Sequence, residues 1–250
     1  MKPNLKFSFE TPIKYLKALD ESQDYLFILA GHLENLEYFT YCKNSKKFKI
    51  LDNMAYENGV NGESISPTKL LFLAHEINAN VIVLPDKLFD KERSEELQKD
   101  FYLHFTKYDR KKFKLMKVVT GNNESEYLQS LEEVSGDKRV DIIGISKSRC
   151  LITPNLSFVM NYLREIKNKK QIHLLGLEHP FELEQARYYE EIKTIDTGLP
   201  INFAFKNLSF PIIKRFDEFK RVSGEDIDTN KKLDIELAKK NIEILKNYYY

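Results

Sequence analysis

Cysteine is scarce in this 250-residue sequence: Cys42 and Cys150 are the only two, far apart and in no paired motif. Two cysteines cannot supply a three-cysteine zinc site, and they predict reduced thiols in a cytoplasmic protein rather than a disulfide framework. Long hydrophobic runs are also missing, since nothing approaches the roughly 18 uncharged apolar residues that a membrane span needs. The N-terminal MKPNLKFSFE has no apolar core and no small-residue cleavage site, so no secretory signal is expected. Charge of one sign is not in excess: the net charge is +1, and global charge implies no partner. No GxGxxG or GxxxxGK[ST] follows any apolar run, which leaves Rossmann and P-loop readings without their phosphate-binding turn. No HxxxH or HExxH pair exists to suggest a zinc hydrolase. No repeat or low-complexity linker divides the chain, and its length suits one α/β barrel domain spanning residues 1–250.

What is present is alternation. Short apolar runs, rich in β-branched residues, predict strands at Tyr25–Ala30, Phe48–Leu51, Val81–Leu84, Lys114–Val119, Val140–Ile143, Ile172–Leu175 and Ile192–Ile195. Asn202–Phe205 is a weaker eighth. Helical spacing predicts helices between them. Ser66 serves as N-cap and Pro67 as first residue of a helix reaching Ile77. Others are expected at about Leu33–Cys42, Asp90–Thr106, Glu124–Val134, Asn155–Ile166 and along the stripe Phe181, Leu183, Ala186 and Tyr189. Thr11 and Pro12 mark a short helix to Leu19. Strands that are continuously apolar belong to a parallel sheet covered by helices. Seven or eight of them favour a (β/α)8 TIM-type barrel. An extra C-terminal helix over about residues 228–247, with Ile235, Ala238, Ile242 and Leu245 at helical spacing, is expected to pack on it. A dimer contact is its other possible use; the oligomeric state is not encoded legibly.

The strand ends carry the polar residues: His32, Asp52, Asp86, Thr120-Gly121, Gly144, Gly176 and Asp196. A barrel brings strand ends together at one mouth. A lone strand-end aspartate is commonly only the cap of the next helix. Three of them, each after an apolar run and before a turn, point to chemistry. Converging acids shift one another's pKa values apart. They suit either a divalent metal or displacement at a sugar carbon, with one acid as nucleophile and another as acid/base. His173, one strand position before Leu-Leu-Gly, is a candidate pocket residue, although a hydrogen-bonded structural role is the plainer expectation for it and for His32. His75 and His104 fall on helices and read as structural. The lysine-rich segments 107–117, 167–170 and 206–221 read as solvated faces or as a groove for nucleic acid, with Phe203, Phe205 and Phe210 as core residues or stacking platforms.

The same segments resemble the tRNA-guanine transglycosylases, and more closely the bacteriophage relatives that insert 7-deazaguanine bases into DNA. Leu51-Asp52-Asn53-Met54-Ala55-Tyr56-Glu57 is similar to the family's strand-end Asp-Ser-Gly-Gly-Phe-Gln. Pro85-Asp86 resembles the segment of its base-recognition aspartate, and Val118-Val119-Thr120-Gly121 its Val-Gln-Gly. Asp141-Ile-Ile-Gly144-Ile145 resembles the glycine-bearing strand along the bound base. His173-Leu-Leu-Gly176-Leu177 with Pro180 looks like Met-Gly-Val-Gly-Thr-Pro. Thr194-Ile195-Asp196-Thr-Gly-Leu199-Pro200 looks like Phe-Asp-Cys-Val-Leu-Pro-Thr-Arg, the nucleophile segment. The resemblance covers roughly Leu26 to Phe205. The family's C-terminal zinc motif is absent, Thr120 stands where it has Gln, and Ile201-Asn202 follows Pro200 in place of Thr-Arg. These departures favour DNA over tRNA.

The resemblance implies that Asp196 is the nucleophile and Asp52 the proton-transfer group. Asp86 would read the base edge, with Asn53, Thr120, Gly121, Gly144, Ile145, His173 and Gly176 as further base-pocket residues. Lys206, Lys214 and Arg215 would hold the nucleic acid. Partners would be DNA (or tRNA) and a free 7-deazaguanine of the preQ0 type, with no cofactor, no zinc and no membrane; the location would be cytoplasmic, in the host for a phage-encoded chain. The alternatives are a tRNA-acting enzyme, a non-catalytic nucleic-acid-binding subunit, and a metal-dependent barrel hydrolase using Asp52, Asp86 and Asp196.

Overall fold

The computed structural model describes residues 5–59, 62–147, 155–178, 180–210 and 232–249. The strands are β1 (Lys6–Phe9), β2 (Leu26–Leu29), β3 (Lys49–Asp52), β4 (Val81–Val83), β5 (Lys114–Val119), β6 (Ile142–Ser146), β7 (Gln171–Leu175) and β8 (Ile192–Thr197). They form one parallel sheet in the order β1-β8-β7-β6-β5-β4-β3-β2, with the sequence neighbours β1 and β2 at its ends. Helices occupy the connections. They are α1 (Leu36–Asn44), α2 (Pro67–Glu76), α3 (Lys91–His104), α4 (Lys107–Lys112), α5 (Glu124–Gly136), α6 (Leu156–Glu165), α7 (Pro180–Ala186) and α8 (Leu199–Phe205), followed by α9 (Ile235–Tyr249). This is the expected α/β class, a (β/α)8 TIM-type barrel with an additional C-terminal helix. No helix among the described residues is long and apolar enough to cross a membrane.

The chain forms two compact units. The first comprises Met1–Asp24, Ser146–Glu165 and Ile172–Tyr250; the second comprises Tyr25–Ile145 and Ile166–Gln171.

In the second unit the strand cores are solid aliphatic: Ile50, Leu51, Val81, Ile82, Val83, Leu115, Met116, Ile143 and Ile145 are buried. Helix starts follow their caps. Ser66 Oγ accepts from Lys69 N with Pro67 in the first turn, and Asp90 and Asn123 cap α3 and α5 with their side chains. Thr106 and Asp109 close a capping box on α4. Its Arg110 forks onto Asp141, whose Oδ2 also accepts from Leu115 N at 2.8 Å. Arg110 of the basic segment 107–117 is therefore structural. Likewise Lys170 Nζ donates to the Asp137 and Val140 carbonyls at 2.6 and 2.7 Å.

In the first unit β8 pairs with β1 on one side and β7 on the other. Phe7 N donates to Asp24 Oδ2 at 2.9 Å, and Asp24 N returns a bond to the Phe7 carbonyl at 3.0 Å. The helix α9 packs on α8: Ala238, Ile242 and Leu245 are buried, and Lys246 reaches Asp24.

Three local readings are corrected. Asn202–Phe205 is not a strand but the body of α8, all of whose residues are buried. A helix buried all round, with Asn202 as its one polar residue, has no polar face to betray its period. The eighth strand is instead β1, whose Lys6 and Ser8 interrupt the apolar run. The segment from Pro12 to Leu19 forms short 3-10 turns, and Thr11 caps nothing: its hydroxyl donates to the Phe9 carbonyl at 2.9 Å. In addition, β6 begins two residues later than Val140, because Arg110 and the β5 backbone hold Asp141 just ahead of it.

Candidate functional site

In the second unit Asn53 and Asp86 come together just beyond β3 and β4, and Asp52 is the last residue of β3. Asp52 closes β3, and its Oδ2 accepts from Met54 N at 2.8 Å, so the chain turns sharply there, with Met54 at a φ of 71°. Asn53 Nδ2 donates to Asp86 Oδ1 at 2.7 Å and to the Leu84 carbonyl at 2.6 Å, and its Oδ1 accepts from Ala55 N at 2.8 Å. The Asn53 amide is thus spent on holding Asp86. The 62–65 loop lies against the same pair, as Ser64 N donates to the Asp86 carbonyl and Ile65 N to that of Asn53. Lys87 and the guanidinium of Arg93 pin Glu63 in that loop.

Asp52, Asn53 and Asp86 are all buried. Burial pushes the Asp86 carboxyl up to about 6, against the opposing pull of the Asn53 bond and the Lys117 charge. Asp86 is an acid that changes charge near neutrality, which suits proton transfer or a regulated acceptor.

The neighbouring strands hold the other expected residues of this unit. Thr120 is half-buried, with its N–H directed at Ser130 Oγ at 3.4 Å. Gly121 sits under the start of α5, where a Cβ would meet Tyr127 N at 2.4 Å, so glycine is required there by packing. Gly144 and Ile145 are buried in β6, in register with Val118 and Val119.

In the first unit Asp196, His173 and Gly176 come together on β8 and β7. Asp196 is buried near the C-terminal end of β8. Its Oδ1 lies 2.9 Å from His173 Nε2, and its Oδ2 accepts from Gly176 N at 2.9 Å. Gly176 reaches that position with a φ of 60°, in the left-handed region. His173 has no exposure, and its Nδ1 lies 2.8 Å from Thr194 Oγ1. Behind the carboxylate, Leu177 N donates to the Asp196 carbonyl, and Thr197 Oγ1 donates to the Leu177 carbonyl at 2.6 Å. Each oxygen of this carboxylate has a fixed polar partner, which keeps a buried acid oriented.

His173 is hydrogen-bonded, as expected, and its partner is the central acid of the unit. Sequence reading missed Thr194, although it stands two residues before Asp196 and so projects to the same side of β8. It also missed Lys147, whose buried Nζ pairs with Glu182 at 2.6 Å. His75 pairs with Asp109 at 2.7 Å and packs on Phe113, and His32 is exposed against Tyr38. Phe203, Phe205 and Phe210 are core, with Phe203 edge-on to Phe210. Lys206 caps α8 and is half-buried. Lys214, Arg215 and Cys150 lie outside the described residues. Among the described residues no three His, Cys, Asp or Glu side chains are placed to hold one metal ion. No protein-family model matches the chain, and a search of curated proteins returns no match.

Proposed function

We propose that this chain is a base-exchange transglycosylase that replaces guanine in DNA with a 7-deazaguanine of the preQ0 type. The observation that carries the reading is Asp196: a buried carboxylate near a strand end, with one polar partner fixed on each oxygen. Displacement at an anomeric carbon needs such a group, aimed and kept from collapsing onto a neighbour. The ordered likeness of the strand-end segments to the guanine transglycosylases supplies the substrate class.

In this reading an Asp196 oxygen attacks C1′ of the nucleotide. The C1′–N9 bond breaks, its electron pair leaves with guanine, and Asp52 provides the proton that guanine takes up. A sugar–Asp196 ester results. The incoming 7-deazaguanine gives its N9 proton to Asp52 and attacks C1′, and the ester bond breaks to restore the free carboxylate. Two inversions return the β configuration, as in retaining glycosidases. Asp86, ionised, accepts from N1–H and the exocyclic NH2 of the base, an edge that adenine does not present. The target base leaves the helical stack to react. The proposed steps use no metal.

The test is incorporation of labelled preQ0 into guanine-containing DNA and, in parallel, into tRNA. The parent chain should label DNA and form a denaturation-resistant protein–DNA adduct; Asp196→Ala should do neither, and Asp52→Ala should exchange far more slowly. Labelling that survives Asp196→Ala removes the nucleophile assignment. Labelling of tRNA alone moves the substrate, and labelling of neither ends the reading.

A further inference from the structure

We propose that His173 is the positioning residue for Asp196, held as its Nε2–H tautomer by the hydroxyl of Thr194. The inference rests on Asp196 being the nucleophile, and it adds two residues to that assignment. The ring is enclosed, with no exposed surface, so its two nitrogens are satisfied by the contacts the fold supplies. Nε2 faces Asp196 Oδ1 at 2.9 Å. An ionised carboxylate only accepts, so Nε2 must carry the proton. In the neutral ring Nδ1 is then a lone pair, and its neighbour at 2.8 Å is Thr194 Oγ1, a hydroxyl able to donate to it. The polarity of the chain is therefore fixed from end to end: Thr194 donates to His173, and His173 donates to Asp196.

The strands explain why this chain can be rigid. Thr194 and Asp196 are two residues apart on β8 and share a face, while His173 is in register with Thr194 on β7. One ring thus bridges two side chains of a neighbouring strand and cannot rotate without losing both bonds. Gly176 N, at the end of the same β7, holds the other carboxylate oxygen. Among the described residues the carboxylate is clamped from β7 and the turn that follows it, leaving its remaining lone pairs for attack. His173 touches no reacting atom in this scheme; it acts through Asp196.

The test uses the full chain labelled with 15N-histidine and the preQ0 exchange assay. Long-range 1H–15N correlation of the parent should show the proton of His173 on Nε2 and none on Nδ1. In Thr194→Val the Nδ1 signal should move toward that of an unbonded pyridine-type nitrogen. In the assay His173→Ala should lower kcat by about tenfold or more with KM nearly unchanged, the loss expected for one charge-assisted bond that orients a nucleophile. His173→Gln, which keeps an N–H donor, should recover part of it. A proton on Nδ1 of the parent overturns the proposal. So does a parent that exchanges while folded His173→Ala or Thr194→Val keeps the full kcat and His173→Gln changes nothing. A parent that performs no exchange ends the transglycosylase reading, and the tautomer measurement still decides whether His173 holds Asp196 in this way.

Discussion

Asn53 Nδ2 lies 2.7 Å from Asp86 Oδ1 and 2.6 Å from the Leu84 carbonyl, so one amide group ties the turn after β3 to the segment after β4. The bond opposes the burial that raises the Asp86 carboxyl to about 6. Asn53→Ala removes that donor and leaves Asp86 more reluctant to ionise. Its midpoint, read by 13C NMR of the carboxyl, should climb by about one unit, the order of a hydrogen bond to a charged group at 1.36 kcal/mol per unit. If base exchange requires ionised Asp86, the low-pH limb of kcat/KM should rise through about 6 in the parent and move upward with the NMR midpoint in the variant. A limb that stays in place while the carboxyl shifts would detach Asp86 from the activity.

The same acid should tax stability. Its carboxyl is raised from 3.8 to about 6, so between those values the folded state binds more proton than the unfolded. Stability from this group is complete below pH 4, falls as pH rises, and is lost above about 6. Asp86→Asn keeps an acceptor for Asn53 and removes the buried charge. It should stabilise the protein at pH 7.5 by about 1–3 kcal/mol and leave it nearly unchanged at pH 4, measured by urea unfolding at both. Its exchange activity should be lost, since an amide cannot accept two donors from a guanine edge as a carboxylate does.

The elements that the sequence displays best are those with one unmistakable pattern. Val81-Ile-Val is a bare β-branched run, and Ser66-Pro67 is a helix start written in two letters. The elements it hides have mixed signals. Lys6-Phe-Ser-Phe is too short and too polar to stand out, and its strand character comes from pairing with β8, far along the chain. Leu199–Phe205 is buried on every side and apolar but for Asn202, so only Pro200 in its first turn marks it as helix. The acids at the strand ends were legible because an apolar run stopped at each. Their partners were not, because His173 meets Asp196 by the register of two strands, and Asn53 meets Asp86 across a loop.

Gly176 should tolerate no side chain without cost. At a φ of 60° an alanine sits in a region that L-residues enter at about 1 kcal/mol or more. Gly176→Ala is therefore expected to lower stability by about 1 kcal/mol, read by thermal or urea unfolding. It should lower exchange by a larger factor, because any relaxation toward negative φ turns the N–H away from Asp196 Oδ2, 2.9 Å distant. Equal and small losses in both would make Gly176 a turn residue only.

Asn241 offers a test of how α9 is fastened. It is fully buried, and its amide closes three backbone groups: Nδ2 donates to the Pro200 and Leu208 carbonyls at 3.2 and 3.0 Å, and Oδ1 accepts from Phe210 N at 2.7 Å. These groups lie at the start of α8 and just beyond its end, so a single side chain welds both ends of α8 to α9. Asn241→Ala removes all three bonds and opens a cavity. The expected cost is about 2–4 kcal/mol, since each unsatisfied buried group carries its own desolvation penalty. For a chain of this size that lowers Tm by roughly 5–15 °C. Lys246→Met is the contrast. It removes the bonds to Asp24 Oδ1 and the Ser22 carbonyl from a partly exposed position, where solvent weakens the charge, and should cost no more than about 1 kcal/mol. If the two variants melt together, the polar clamp is not what fixes α9, and the burial of Ala238, Ile242 and Leu245 alone holds the helix.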